Sequence, residues 1–154
     1  MAIYMKLPYA TGAVTSGEYL DWIDILGFSF GIDRNTAMET GDLTARASGV
    51  ARFSQFQIRK ELDESTPPIL NELVMATRGQ NVEIAMVKTG DKPVEIVRYI
   101  LKDAIVSSYE VVGDVGAPNE VLRFTYSELE VAVTPRTSAN KRSGAVRFNH
   151  SLKS

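Results

Sequence analysis

The sequence predicts a mainly β domain in which two sheets pack as a sandwich or barrel, with one flanking α-helix at about residues 66–78. Runs of β-branched and aromatic residues recur along the chain between Gly, Pro, Asn and Asp, which is typical of short strands. Only one stretch combines helical spacing with cap residues. The 154 residues, 44% of them hydrophobic and 23% charged, suit one core, so we expect a single domain over 1–154.

The first elements are predicted strands. Ala2–Leu7 ends at Pro8, and Tyr19–Ile32 (YLDWIDILGFSFGI) is rich in β-branched and aromatic residues. Side chains alternate between the two faces of a strand. We therefore expect Phe28 and Phe30 in the core and Ser29 on the opposite face.

A polar loop is predicted over residues 33–50, DRNTAMETGDLTARASGV, and loops of this length tend to be functional. The strand after it, ARFSQFQIRKEL, shifts its apolar parity near Ser54–Gln55, which indicates a β-bulge. Beyond the bulge, Phe56 and Ile58 are predicted core residues.

The helix has clear start and stop signals. Ser65 or Thr66 is the predicted N-cap, and Pro67 suits the first turn. Gly79 is the predicted left-handed residue after the helix. The helical spacing predicts a core-facing stripe of Leu70, Leu73 and Val74.

More strands follow the helix, giving roughly eight or nine in all. The predicted set is a strand around 82–86, a second over 94–101, a third over 102–112 after a bend at Lys102–Asp103, and a long one over 120–134 with a phase change. Residues 136–154 are predicted to be a flexible basic tail with one last strand, Ala145–Asn149.

The composition offers little for catalysis. There is no cysteine, and the single histidine, His150, lies near the chain end. Neither a thiolate nucleophile nor a cysteine-ligated metal site is available, and one histidine makes a transition-metal site improbable. We therefore predict no catalytic, cofactor-binding or metal-binding residues, no cofactor, and a protein that is not an enzyme.

Charge and hydropathy limit the classes of partner that we expect. A net charge of -2 argues against a nucleic-acid binder. No apolar run approaches a membrane span, and the first residues do not form a Sec-type signal peptide. The expected location is the cytoplasm, with no membrane insertion.

Four blocks follow one another along the chain: YLDWIDILGFSFG, then FSQFQIRKELDESTPPILNELVMATRG, then NVEIAMVKTG with VEIVRYILKDAIVSSYEVVGD, and finally NEVLRFTYSELEVAVTP. In this order they resemble the haemolysin-coregulated protein (Hcp) family of type VI secretion. Together they span about Tyr19 to Pro135. The loop 33–50 lacks the glycine-rich character common in the family, and the tail after Pro135 matches poorly.

The resemblance implies a β-barrel tube domain with one helix, assembled as a homohexameric ring. Such rings stack into a tube that a contractile sheath expels and that carries secreted effectors in its lumen. The implied partners also include spike and baseplate proteins, and the tube leaves the cell without a signal peptide. It implies that Ser29 faces this lumen. The loop 33–50 is the predicted ring-stacking contact, with candidates Glu39, Thr40, Gly41, Asp42 and Leu43.

Two alternatives stay open at this point. One is a small-molecule-binding β-barrel whose cavity would be lined by Trp22, Tyr99, Phe124 and Tyr126. The other is a structural protein related to phage tail tubes.

Overall fold

The computed structural model describes residues 1–36, 49–135 and 144–152. This part of the chain contains eleven strands, one α-helix and a 3₁₀ turn at Gly17–Tyr19. The elements are β1 Ala2–Lys6, β2 Ile23–Ile25, β3 Gly27–Ser29, β4 Ile32–Arg34, β5 Ala51–Phe53, β6 Phe56–Glu61, α1 Thr66–Met75, β7 Gln80–Lys88, β8 Val94–Val112, β9 Asn119–Thr125, β10 Glu128–Val133 and β11 Val146–Ser151.

Nine strands form one ladder of hydrogen bonds that folds over at β8, and β4 and β5 form a separate two-stranded ribbon. The first half of β8 pairs with β7 and β10, and its second half pairs with β9. We call β1, β2, β7, β10, β11 and the first half of β8 the larger layer. The smaller layer is β3, β6, β9 and the second half of β8.

The fold-over occurs where a bend was predicted. Asp103 has a left-handed φ of 56°, and β8 runs through this point as one strand of 19 residues. A side chain on Gly79 would place its Cβ 2.4 Å from the Asp103 carbonyl oxygen. Gly79 is therefore required for close approach of the two segments. The prediction of a left-handed Gly79 is wrong, since Gly17 is the glycine with positive φ in the described residues.

The ladder does not close into a hydrogen-bonded barrel. Its two ends, β2 and β3, are consecutive in the chain and are joined at Leu26. The Leu26 N–H donates to the Arg59 carbonyl at 2.8 Å. The mainly β fold of packed sheets with one helix is confirmed, in the form of a two-layer sandwich.

The predicted strand over 19–32 is divided, because the chain changes layers within it. Ile23 and Ile25 are buried in β2, whereas Phe28 and Phe30 pack against the core with the opposite parity. The inward-facing parity thus changes at Leu26, which is 45% exposed. The predicted strand over 120–134 is likewise broken, between β9 and β10.

The main core lies between the two layers. Phe56 and Ile58 are fully buried in it, and the rings of Phe28 and Phe30 stack on Phe56 at 5.5 and 5.1 Å. Tyr99 meets all three of these phenylalanine rings. These aromatic side chains fill the interior.

The helix contacts this core through a different face from the predicted one. Ile69 is fully buried and Leu73 is partly buried. Leu70 and Val74 are 38% and 78% exposed, so their assignment to the core is wrong. The buried face follows Thr66, Ile69 and Leu73 at spacings of three and four, rotated by one residue from the predicted stripe.

The predicted loop 33–50 has ordered ends. Ile32–Arg34 pairs with Ala51–Phe53. The stacking candidates Glu39, Thr40, Gly41, Asp42 and Leu43 lie outside the described residues, as do positions 136–143 of the basic tail. The last strand is β11, which pairs with β10.

Candidate functional surfaces

The outer face of the larger layer is covered where β1 and β7 lie. Tyr19 and Trp22, from the segment before β2, pack with Val14 against Ala85 and Val87 and form a second hydrophobic cluster. The Tyr19 and Trp22 rings meet edge to face at 5.1 Å. The N-terminal segment thus closes this part of the face against solvent.

Charged side chains on this face are paired. Arg98 contacts Glu95 at 2.7 Å and Glu83 at 3.3 Å, and its guanidinium carbon lies 5.3 Å from the centre of the Trp22 ring. The Tyr19 hydroxyl donates to Glu95 at 2.9 Å. Burial, and then Glu95, raises the pKa of Tyr19 to about 12.

The same pairing continues toward the β11 edge. Lys102 meets Glu128 at 3.2 Å, and Arg147 meets Glu130 at 2.9 Å. Cations and carboxylates on this face therefore largely satisfy one another within the subunit.

The outer face of the smaller layer is polar and open. One row across the strands places Ser29 beside Gln57, Gln57 beside Arg123, and Arg123 beside Ser108. The neighbouring residues in each strand face the core: Phe28, Ile58, Leu122 and Tyr109. The alternation gives this layer one apolar and one mainly polar face, with a register shift in β8 between Val106 and Ser108.

Ser29 is exposed on this polar face, opposite in direction to Phe28 and Phe30. Two shallow grooves meet at Ser29 and Gln57. One, of about 370 Å³, also contacts Arg123, and the other, of about 160 Å³, also contacts Arg59. Two arginines, Arg59 and Arg123, therefore lie near Ser29, and neither was among the predicted site residues.

A buried charged cluster supports the smaller layer. Lys60 on β6 and Glu120 on β9 are fully buried, and the Lys60 Nζ lies 3.1 Å from Glu120 Oε2. Lys60 also contacts Asp63 Oδ1 at 2.9 Å and donates to the Glu61 carbonyl at 2.9 Å. Thr66 donates to the other Glu120 oxygen, Oε1.

This cluster fixes the start of α1 to two strands. Ser65, the N-cap residue, donates its backbone N–H to Asp63 at 2.9 Å. Burial, followed by Glu120, raises the pKa of the neighbouring Tyr109. Lys60 follows Phe56 and Ile58 at every second position, so the strand pattern points its side chain to the core. This is the signal in the sequence that could have revealed the cluster.

Neither a metal centre nor a membrane span is apparent in the described ranges. No three of their His, Asp and Glu side chains are grouped to hold a metal ion. The helix found there is too short and too polar to cross a bilayer.

Comparison with known proteins identifies the family. Residues 4–133 match the family described as type VI secretion system effector, Hcp. No curated protein sequence matches this chain.

Several solved structures share the fold of this chain. A structure titled a type six secretion system protein has a TM-score of 0.87 at 24% identity and covers 98% of this chain and 95% of its own. A type VI secretion system effector from Yersinia pestis has a TM-score of 0.75 at 17% identity, covering 97% and 98%. Hcp1 from Salmonella typhimurium has a TM-score of 0.77 at 14% identity, covering 98% and 94%.

At these identities the solved structures establish the fold, and the match over residues 4–133 establishes the family. The chain belongs to the Hcp family of type VI secretion proteins.

Proposed function

We propose that this protein is the structural subunit of a type VI secretion tube. Six copies form a ring, rings stack into a tube, and the outer face of the smaller layer, with Ser29, lines the central channel. A contractile sheath expels the tube with its spike and effectors, so the subunit acts first in the cytoplasm and then outside the cell. The subunit works by shape and makes no covalent change.

The observation that carries this proposal is the contrast between the two outer faces, given the family. A channel surface must stay wet and open after assembly. The row of Ser29, Gln57, Arg123 and Ser108 is polar and uncovered. The outer face of the larger layer is instead covered or internally paired.

Exposed apolar side chains support self-association. Val146 and Phe148 on β11 are 66% and 46% exposed, and they continue the inward-facing rows of β10 past the core. Among the described strands β11 pairs with β10 alone, so it is an edge strand of the ladder there. A ring of identical subunits needs head-to-tail contacts that close after a fixed rotation, and such an edge suits one side of that contact.

Ring stacking is assigned to the predicted loop between β4 and β5. The ribbon holds the two ends of this loop together through Ile32–Arg34 and Ala51–Phe53. Deleting residues 40–48 leaves the ribbon in place. We expect the deletion to preserve rings and to reduce their stacking.

The test is the mass of the purified protein by size-exclusion chromatography with light scattering, followed by negative-stain images. We expect a mass near six times 17.0 kDa and rings with an open centre. The 40–48 deletion should give the same rings and fewer stacks. A monomer at high concentration, or solid particles without a channel, would overturn the proposal.

A further inference from the structure

We propose that the channel-lining face recognises acidic protein cargo, with Arg59 and Arg123 binding carboxylates next to Ser29 and Gln57. This inference rests on the proposed tube function and assigns the chemical class of its cargo. It depends on the charges around the two grooves that meet at Ser29.

The two arginines are close neighbours on one face. In the β6–β9 pair, Arg123 lies opposite Gln57 and Arg59 lies opposite Val121. The arginines are thus diagonal neighbours, and such positions are about 7–8 Å apart in an antiparallel pair. A single acidic segment can therefore contact both guanidinium groups.

Neither arginine has a carboxylate partner among the residues that the structure describes. Arg123 reaches the Ser108 hydroxyl at 3.4 Å, and Arg59 makes no side-chain hydrogen bond or ion pair with the described residues. By contrast, the ion pairs of Arg98, Lys102 and Arg147 each include a glutamate. The guanidinium fork suits two parallel bonds to a carboxylate, so Arg59 and Arg123 are suited to an external one.

The carboxylates that share this face lie away from Ser29. Glu61 follows Arg59 along β6, and Glu110 lies opposite Val121 on β8. Neither forms an ion pair with Arg59 or Arg123 in the described chain. The residues lining the two grooves include both arginines and no acidic side chain.

The shape of the grooves favours a peptide or protein surface over a nucleic acid. The volumes of about 370 and 160 Å³ accept one or two side chains each. The net charge of -2 gives the subunit no general attraction for a phosphate backbone. Repetition around a ring would place many weak carboxylate contacts along one channel, which holds cargo through multivalency and still releases it.

The experiment measures fluorescence anisotropy of a labelled Gly-Ser peptide that carries several glutamates. A peptide with glutamines in their place is the ligand control. We expect binding of the glutamate peptide alone, weakened roughly threefold to tenfold by R59Q or R123Q and further by the double variant, since each charge-assisted bond contributes about 1 kcal/mol at an exposed site. R78Q removes an exposed arginine after the helix and should leave binding unchanged.

Equal binding of the two peptides, or undiminished binding by the double variant, would overturn the inference. Tighter binding of a single-stranded oligonucleotide of the same charge would overturn it in favour of a phosphate polymer. The mass of each sample is recorded at the same time. Rings that show no glutamate-dependent binding would refute the acidic cargo class alone, whereas absence of rings would refute the tube function. Because Arg59 and Arg123 lie on one subunit, peptide binding can be measured on rings and on monomers.

Discussion

The outer faces of the two layers differ in how their side chains are covered and paired. On the larger layer, Tyr19 and Trp22 cover the sheet, and Arg98 is bound by Glu95 and Glu83. On the smaller layer, Arg59 and Arg123 lie on a polar face and have no carboxylate partner within the described part of the chain. The first face contributes to the stability of the subunit, and the second is the face that we propose to line the channel.

The largest expected effect lies beneath the open face, in the buried cluster that supports it. Lys60→Met leaves Glu120 buried and without its cation, which should lower the free energy of unfolding by about 3–5 kcal/mol. Urea unfolding monitored by circular dichroism measures this change. The double variant Lys60→Met/Glu120→Leu should recover much of the loss, because it removes both charges.

If Lys60→Met unfolds at the same urea concentration as the parent, the cluster does not stabilise the smaller layer. If the double variant is less stable than Lys60→Met, an unpaired buried Glu120 is not the main cause of the loss.

Two matched arginine substitutions, one on each outer face, compare the two faces, and the expected changes in stability are smaller than that of Lys60→Met. Arg98→Gln removes two ion pairs and the contact with Trp22, and should lower the free energy of unfolding by about 1 kcal/mol. Arg59→Gln removes no ion pair with a described residue and should change the free energy of unfolding by less than about 0.5 kcal/mol. The same urea titrations measure both. A larger loss from Arg59→Gln than from Arg98→Gln would reverse the assignment of the two faces.

Local patterns predicted the smaller layer well. The alternation of apolar and polar residues at Phe56, Gln57 and Ile58 correctly predicts which side chains of β6 face the core and which face outward. The same reasoning placed Ser29 opposite Phe28 and Phe30 without any knowledge of the strands beside it.

Other features required tertiary information. Ile69, Leu70, Leu73 and Val74 give the helix two apolar stripes, and only packing on β8 selects between them. The change of inward-facing parity at Leu26 arises because the chain passes from one layer to the other. Glu120 becomes a partner of Lys60 only once β6 and β9 pair, so the sequence could not join residues sixty positions apart.

The most direct test of the account locates Ser29 within the assembled particle. The chain has no native cysteine, so Ser29→Cys accepts a single maleimide-gold label per subunit. Asn149→Cys, on the outer face of the larger layer in β11, is the matched control. In negative-stain images we predict gold at the centre of the ring for Ser29→Cys and outside the centre for Asn149→Cys. Gold at the outer perimeter for Ser29→Cys would contradict the assignment of the smaller layer to the channel.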